Sequence, residues 1–172
     1  MNAPEIPRVC ISRCLLGQNV RYDGRHALAP WITREMGDLF KWVPICPEAE
    51  CGLPIPREPM RLERDAHNPR LVGIKTRTNY LRQMLDWTES ALVKLREKHV
   101  CAFILKSKSP SCAARKKILV YDPAGRAVGI SLGIFARALE HAFPDLPVED
   151  ELRLKSAPVR QDFIKKVRRL LA

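Results

Sequence analysis

Apolar residues recur along this chain in two rhythms, short unbroken runs and a helical repeat. Arg8-Val9-Cys10-Ile11-Ser12 reads as a short buried strand, followed by the turn signal Gly17-Gln18-Asn19. Beyond Asp23-Gly24, Pro30 suits the first turn of a helix running from Trp31 to about Phe40. Trp42-Val43-Pro44-Ile45-Cys46 forms a second apolar run, cut off by Pro47. From Pro47 to Asn79 prolines stand at 47, 54, 56, 59 and 69 with little periodicity, which predicts a long irregular segment of the kind that carries function in compact domains. Leu81, Met84, Leu85, Thr88, Ala91, Leu92 and Leu95 then keep helical spacing, predicting a helix over about 78–98 with one buried face.

The unbroken run Val100-Cys101-Ala102-Phe103-Ile104-Leu105 follows at once, as in the central strand of a parallel sheet. Residues 107–113 read as polar loop. Lys117-Ile118-Leu119-Val120-Tyr121 reads as a fourth strand, closed by the turn Asp122-Pro123-Ala124-Gly125. A helix over 132–143 comes next, and a last one begins near Ser156-Ala157-Pro158. Strands alternating with helices predict an α/β fold, a three-layer Rossmann-like domain whose mostly parallel sheet is flanked by helices. No internal repeat or low-complexity tract interrupts it. The expected division is one domain over 1–150 and a basic C-terminal helix or tail over 151–172, where Val159, Phe163, Val167 and Leu170 give one buriable face.

Length and composition narrow the class. The 172 residues suffice for a real core, and no apolar run nears the roughly 18 residues that span a bilayer. The short polar stretch Met1 to Arg8 does not read as a signal peptide, so a cytoplasmic protein without membrane association is expected. The net charge of +11 admits nucleic acid or an anionic ligand without requiring either. Seven basic residues against three acidic ones over 150–172 account for part of it.

Six cysteines, at 10, 14, 46, 51, 101 and 112, are the second compositional signal. In a chain of this size and character, disulfide staples are not needed, which leaves core packing, metal ligation or reactivity. Cys10 and Cys101 fall within strands, where a free cysteine acts as a small hydrophobe. Cys14, Cys46 and Cys112 follow the first, second and third strands, and in an open parallel sheet such positions gather at the carboxyl edge where ligands bind. Three convergent thiolates suit a soft metal. Structural zinc takes four ligands, often in close pairs that are missing here, whereas an iron–sulfur cluster on three cysteines leaves one iron open. Three unrelated buried thiols remain the plain alternative.

The flanking residues form three ordered blocks. They are Ser12-Arg13-Cys14-Leu15-Leu16-Gly17 with Val20-Arg21-Tyr22-Asp23-Gly24, then Cys46-Pro47-Glu48 leading to Gly52-Leu53-Pro54-Ile55-Pro56-Arg57, then Lys106-Ser107-Lys108-Ser109-Pro110-Ser111-Cys112. Together they resemble the 2-thiouracil desulfidase family over nearly the whole chain. The likeness is greatest to the form in which this domain precedes a second, C-terminal domain, although the sequence stops where that domain would begin, as in a single-domain form.

The resemblance implies a [4Fe-4S] cluster carried by Cys14, Cys46 and Cys112 with one open iron. It also implies non-redox removal of sulfur from a thiolated uracil, giving uracil and sulfide. A thione sulfur is soft and suits the open iron, which polarises the carbon–sulfur bond for attack by water. Glu48, two residues beyond Cys46, is the candidate general base, and Ser109 and Ser111 are candidate hydrogen-bond donors to a uracil carbonyl or to cluster sulfides. Asp23 is a second acid–base candidate, and Arg13, Arg21 and Arg57 are candidates for balancing anionic charge. The expected partner is a small thiopyrimidine base or nucleoside, and the expected assembly is a monomer or weak dimer.

The sequence departs from the family pattern at Ala113, where glycine is usual, and at Ser131 and Gly133, where a glycine pair is usual. The Asp122-Pro123-Ala124-Gly125 turn is also atypical, and Cys51 has no counterpart. His26, His67, His99 and His141 stand at no zinc-like or triad-like spacing from a cysteine, and no phosphate-binding glycine motif is present. The rival class is a nucleic-acid-binding module, or a zinc or redox sensor, whose cysteines are structural.

Overall fold

The computed structural model describes residues 6–170. The first five residues of the N-terminal stretch and the last two of the C-terminal tail lie outside the described residues. Four strands form one all-parallel sheet in the order β2-β1-β5-β8, with β1 Arg8–Ser12, β2 Lys41–Ile45, β5 Val100–Leu105 and β8 Val148–Asp150. Burial on both faces explains why β1 and β5 are unbroken apolar runs rather than alternating ones.

The two-residue period of a strand sorts those side chains into two cores. Val9, Ile11, Ala102 and Ile104 meet Ile32 and Met36 of α1 (Pro30–Met36) and Phe163 and Val167 of α5 (Ala157–Arg169). Cys10, Phe103 and Leu105 meet Ala91 and Leu95 of α3 (Leu81–Glu97) and Phe135, Ala136 and Leu139 of α4 (Ile134–Ala142). The arrangement is the expected three-layer α/β fold with a parallel sheet between helices. Cys10 and Cys101 sit in their strands as buried residues.

A second sheet modifies the sequence reading. The segment 47–79 is not irregular throughout: it holds α2 (Pro47–Glu50) and the hairpin of β3 (Met60–Glu63) and β4 (Arg70–Gly73). The predicted fourth strand, β6 (Ile118–Tyr121), pairs with β3 and with β7 (Ala127–Ser131), giving the order β4-β3-β6-β7. Its inner residues Leu62, Leu71 and Val120 pack with Met84 of α3 and Ile134 of α4. Among the described residues, no helix is long and apolar enough to cross a membrane.

Candidate functional site

The adjacent parallel strands β1, β2 and β5 end level with one another, with Ser12 opposite Ile45 and Ile11 opposite Ile104. The chain leaving each strand therefore starts from the same edge. After β1, a single 3-10 turn over Arg13–Leu16 carries Cys14, and Gly17 ends it in the left-handed conformation at φ 88°. After β2, Cys46 caps α2, whose Pro47 occupies the first helical position and whose second residue is Glu48. Cys46 N–H is accepted by Glu50 Oε1 at 2.8 Å. After β5, residues 106–113 form a loop seated on the start of α4.

That seat is well defined. Ser109 Oγ accepts the N–H groups of Ser111 at 3.2 Å and Cys112 at 3.1 Å. The early N–H groups of α4, which have no partner within the helix, donate to this loop: Ile134 to Pro110 O at 3.0 Å and Phe135 to Ser111 O at 3.0 Å. Gly133 N–H is accepted by Ala113 O at 2.8 Å, and a Cβ on Gly133 would stand 2.5 Å from Ser111 C and 2.7 Å from Cys112 N. The absence of a side chain at Gly133 is what lets the Cys112 loop lie this close. Ala113 is fully buried and does not line the cavity.

Cys14, Cys46 and Cys112 line one cavity of about 340 Å³, together with Glu48, Ser109, Ser12, Lys106, Arg57 and Arg21. A slightly larger cavity of about 410 Å³ lies elsewhere, between α5 and the segment 145–149, and contains no cysteine. Burial pushes the Cys14 thiol up to about 11, with a further push from Cys46 and an opposing pull from Lys106. Burial likewise raises the thiols of Cys46 and Cys112, and Cys112 is raised further by Cys46, Glu48 and Cys14. Cys14 thus feels Cys46, and Cys112 feels both. Among the described residues, no three His, Cys, Asp or Glu side chains close on a single ion. Soft thiols on one wall, with Arg21, Arg57, Lys106 and Lys108 around the same cavity, fit an anionic thiolate-bound cluster.

Glu48 stands beside the thiols, 9 % exposed. Its Oε2 accepts from Arg57 Nε at 2.8 Å and Nη2 at 2.6 Å, and its Oε1 accepts the Ser111 hydroxyl at 2.9 Å. Arg57 also donates to Val20 O at 3.0 Å, and its backbone N–H donates to Tyr22 O at 2.8 Å, which ties the 20–22 loop to this carboxylate. The two serines differ in setting: Ser109 lines the cavity, whereas Ser111 is fully buried behind it. Arg13 and Arg21 line the cavity too, while Asp23 does not; it pairs with Arg21 at 3.2 Å. Cys51 is outside the cavity, its thiol donating to Glu48 O at 3.2 Å.

Sequence reasoning missed Glu151 and Ser12. Glu151 follows β8, a three-residue strand with no apolar run to mark it, and is buried against Lys106 and Ser107. Burial alone would raise its carboxyl, but hydrogen bonds from Lys106 and Ser107 outweigh that and hold it below the ordinary glutamate range.

Comparison with known proteins agrees with this architecture. The chain is similar to the [4Fe-4S]-dependent thiouracil desulfidase TudS, with 26 % identity and a TM-score of 0.67, covering 91 % of this chain and 98 % of the other. It is 30 % identical over 111 residues to an uncharacterized protein, YbbK, of Bacillus subtilis (strain 168), covering 62 % of this chain and 73 % of that protein. The family model for 2-thiouracil desulfurase matches residues 9–151, a span that includes all three cavity cysteines, Glu48 and both serines, and the chain belongs to that family.

Proposed function

We propose that the chain is an iron–sulfur-dependent desulfidase that hydrolyses a thiolated uracil to uracil and sulfide without net redox change. The observation that carries this reading is the convergence of Cys14, Cys46 and Cys112, from three separate strand ends, on one cavity that also holds Glu48. These three cysteines would hold a [4Fe-4S] cluster with one iron not ligated by protein. When bound, the cluster supplies a soft Lewis-acidic iron matched to a thione sulfur.

The chain's own residues provide the rest of the chemistry. Glu48 accepts a proton from water as the water oxygen bonds to the thiocarbonyl carbon, and returns a proton to the departing sulfur. One water and one thiocarbonyl thus become one carbonyl and one hydrogen sulfide, with no electrons left over. Arg57 fills both lone pairs of Oε2 and Ser111 one of Oε1, which fixes the plane of the carboxylate and leaves one lone pair on Oε1 for water. Ser109, whose oxygen already accepts two N–H groups, is left to donate its hydroxyl hydrogen to a uracil carbonyl. Arg21 and Lys108 offer positive charge at the cavity wall.

The test is anaerobic reconstitution followed by incubation with 2-thiouracil. Equimolar uracil and sulfide are expected from the loaded chain and none from the metal-free chain. A loaded chain that consumes neither 2-thiouracil nor other thiolated uracils and their nucleosides would overturn the reading.

A further inference from the structure

We propose that Glu151 is a positioning residue that holds the Lys106 ammonium as a fixed positive charge on the wall of the cysteine-lined cavity. Glu151 is 5 % exposed, lies just beyond β8 and does not itself line the cavity. Every partner it has here is a donor. Oε1 accepts from Lys106 Nζ at 2.6 Å and from the Ser107 hydroxyl at 2.6 Å, and Oε2 accepts Ser107 N–H at 2.8 Å. Lys106 Nζ also donates to Ser107 O at 3.0 Å and to Ser107 Oγ at 3.3 Å, so all three of its hydrogens are held and the ammonium is fixed in place.

The same residue is anchored from its other end. Lys106 N–H is accepted at 2.9 Å by Oγ of Ser12, the last residue of β1 and a neighbour on the cavity wall. Backbone and ammonium of Lys106 are therefore pinned independently. The arginines of the wall are paired as well, Arg57 with Glu48, Arg21 with Asp23 and Arg13 with Glu50 at 3.7 Å. Burying a carboxylate with an ammonium carries a desolvation cost, and a loop anchor alone needs only the neutral Ser107 bonds.

The inference rests on the preceding reading only for what the charge faces, an anionic cluster. Net charge near a cluster is one of the quantities that set its reduction potential, so a held cation raises it. Glu151→Gln is the discriminating change: an amide replaces one carboxylate oxygen with an NH2 group, two donor hydrogens where every partner is itself a donor, so it cannot hold the whole set.

The first measurement needs no metal: the proton–nitrogen spectrum of lysine side chains in the metal-free chain, with Lys106→Met assigning the Lys106 signal. A protected ammonium signal is expected in the wild type and its loss is expected in Glu151→Gln, with cooperative thermal unfolding retained. Should Glu151→Gln not fold, Glu151→Asp decides, since it keeps the charge but withdraws it by one carbon, and the same loss is expected.

The second measurement is the midpoint potential after reconstitution. Lys106→Met and Glu151→Gln are both expected to lower it, and the double variant to fall no further than Lys106→Met alone. A Glu151 that acted only as a nearby negative charge would give the opposite sign, a rise in Glu151→Gln. That rise, or an unchanged Lys106 signal, overturns the proposal. A wild-type chain that takes up no iron contradicts the preceding reading instead, and the ammonium signal still decides this one.

Discussion

Ser111 donates its hydroxyl hydrogen to Glu48 Oε1 at 2.9 Å, joining two residues 63 positions apart inside a wall that water barely reaches. The bond links the segment carrying Cys46 to the loop carrying Cys112, so the carboxylate and two of the proposed ligands form one mechanical unit.

Removing either end should separate catalysis from cluster binding. Glu48→Gln is expected to lower kcat by about 10²–10⁴-fold, the usual contribution of a positioned acid–base group. Ser111→Ala is expected to cost less, about 10–100-fold, since a hydrogen bond to a charged partner contributes about 1.5–3 kcal/mol. Iron content should stay at the wild-type level in both. Sulfide release at the wild-type rate by Glu48→Gln would remove that residue from the reaction.

Gly133→Ala should damage the site from a distance. Its new Cβ would come within 2.5–2.7 Å of backbone atoms of Ser111 and Cys112, which are fixed by the first turn of α4 and cannot step aside cheaply. Overpacking of this kind costs about 1–3 kcal/mol. Thermal unfolding should report that loss, and the displaced Cys112 should lower the iron bound per chain. An alanine variant with unchanged melting and unchanged loading would show that the loop has room the geometry denies.

Acid should weaken the fold through Glu58, which does not line the cysteine cavity. Its carboxylate accepts the Thr76 hydroxyl, the N–H groups of Thr76 and Lys75, and the Tyr80 hydroxyl. Those bonds, the Thr76 hydroxyl foremost, hold its pKa down at about 2, against an ordinary glutamate near 4.5. A depressed carboxyl stabilises the fold fully above its unfolded value and loses that contribution as pH falls through the folded one. Melting of Glu58→Gln should therefore fall below wild type at neutral pH, with the gap closing between about pH 4.5 and about pH 2. A gap that stays constant over that range would mean the carboxylate's charge contributes nothing.

What the sequence discloses depends on how locally each element is encoded. β1 and β5 are legible because strands buried on both faces must be apolar throughout, and α3 because its buried residues keep helical spacing over several turns. β3 is not: Met60-Arg61-Leu62-Glu63 offers one fully buried apolar side chain, and its partner β6 lies some sixty residues away. β8 is three residues long and exists because β5 offers it an edge.

The site follows the same rule. Cys14, Cys46 and Cys112 are legible because each directly follows a legible strand, or the loop after one. Glu48 is legible through its nearness to Cys46. Its bond to Arg57 depends on the path of the 52–57 loop, and the hold of Glu151 on Lys106 depends on β8, so neither shows in spacing. Ser111 points into the protein toward Glu48 rather than into the cavity, an orientation set by the seat on α4.

The central claim is that three particular thiols hold the cluster, and iron content across the six single Cys→Ser variants tests it most directly. After anaerobic reconstitution, about four irons per chain are expected for the wild type and for Cys51→Ser. Cys10→Ser and Cys101→Ser should melt earlier, because each places a hydroxyl among buried residues, yet should still load. Cys14→Ser, Cys46→Ser and Cys112→Ser should each abolish loading. Full loading of Cys14→Ser, with loss of the cluster in Cys10→Ser or Cys101→Ser, would contradict the assignment.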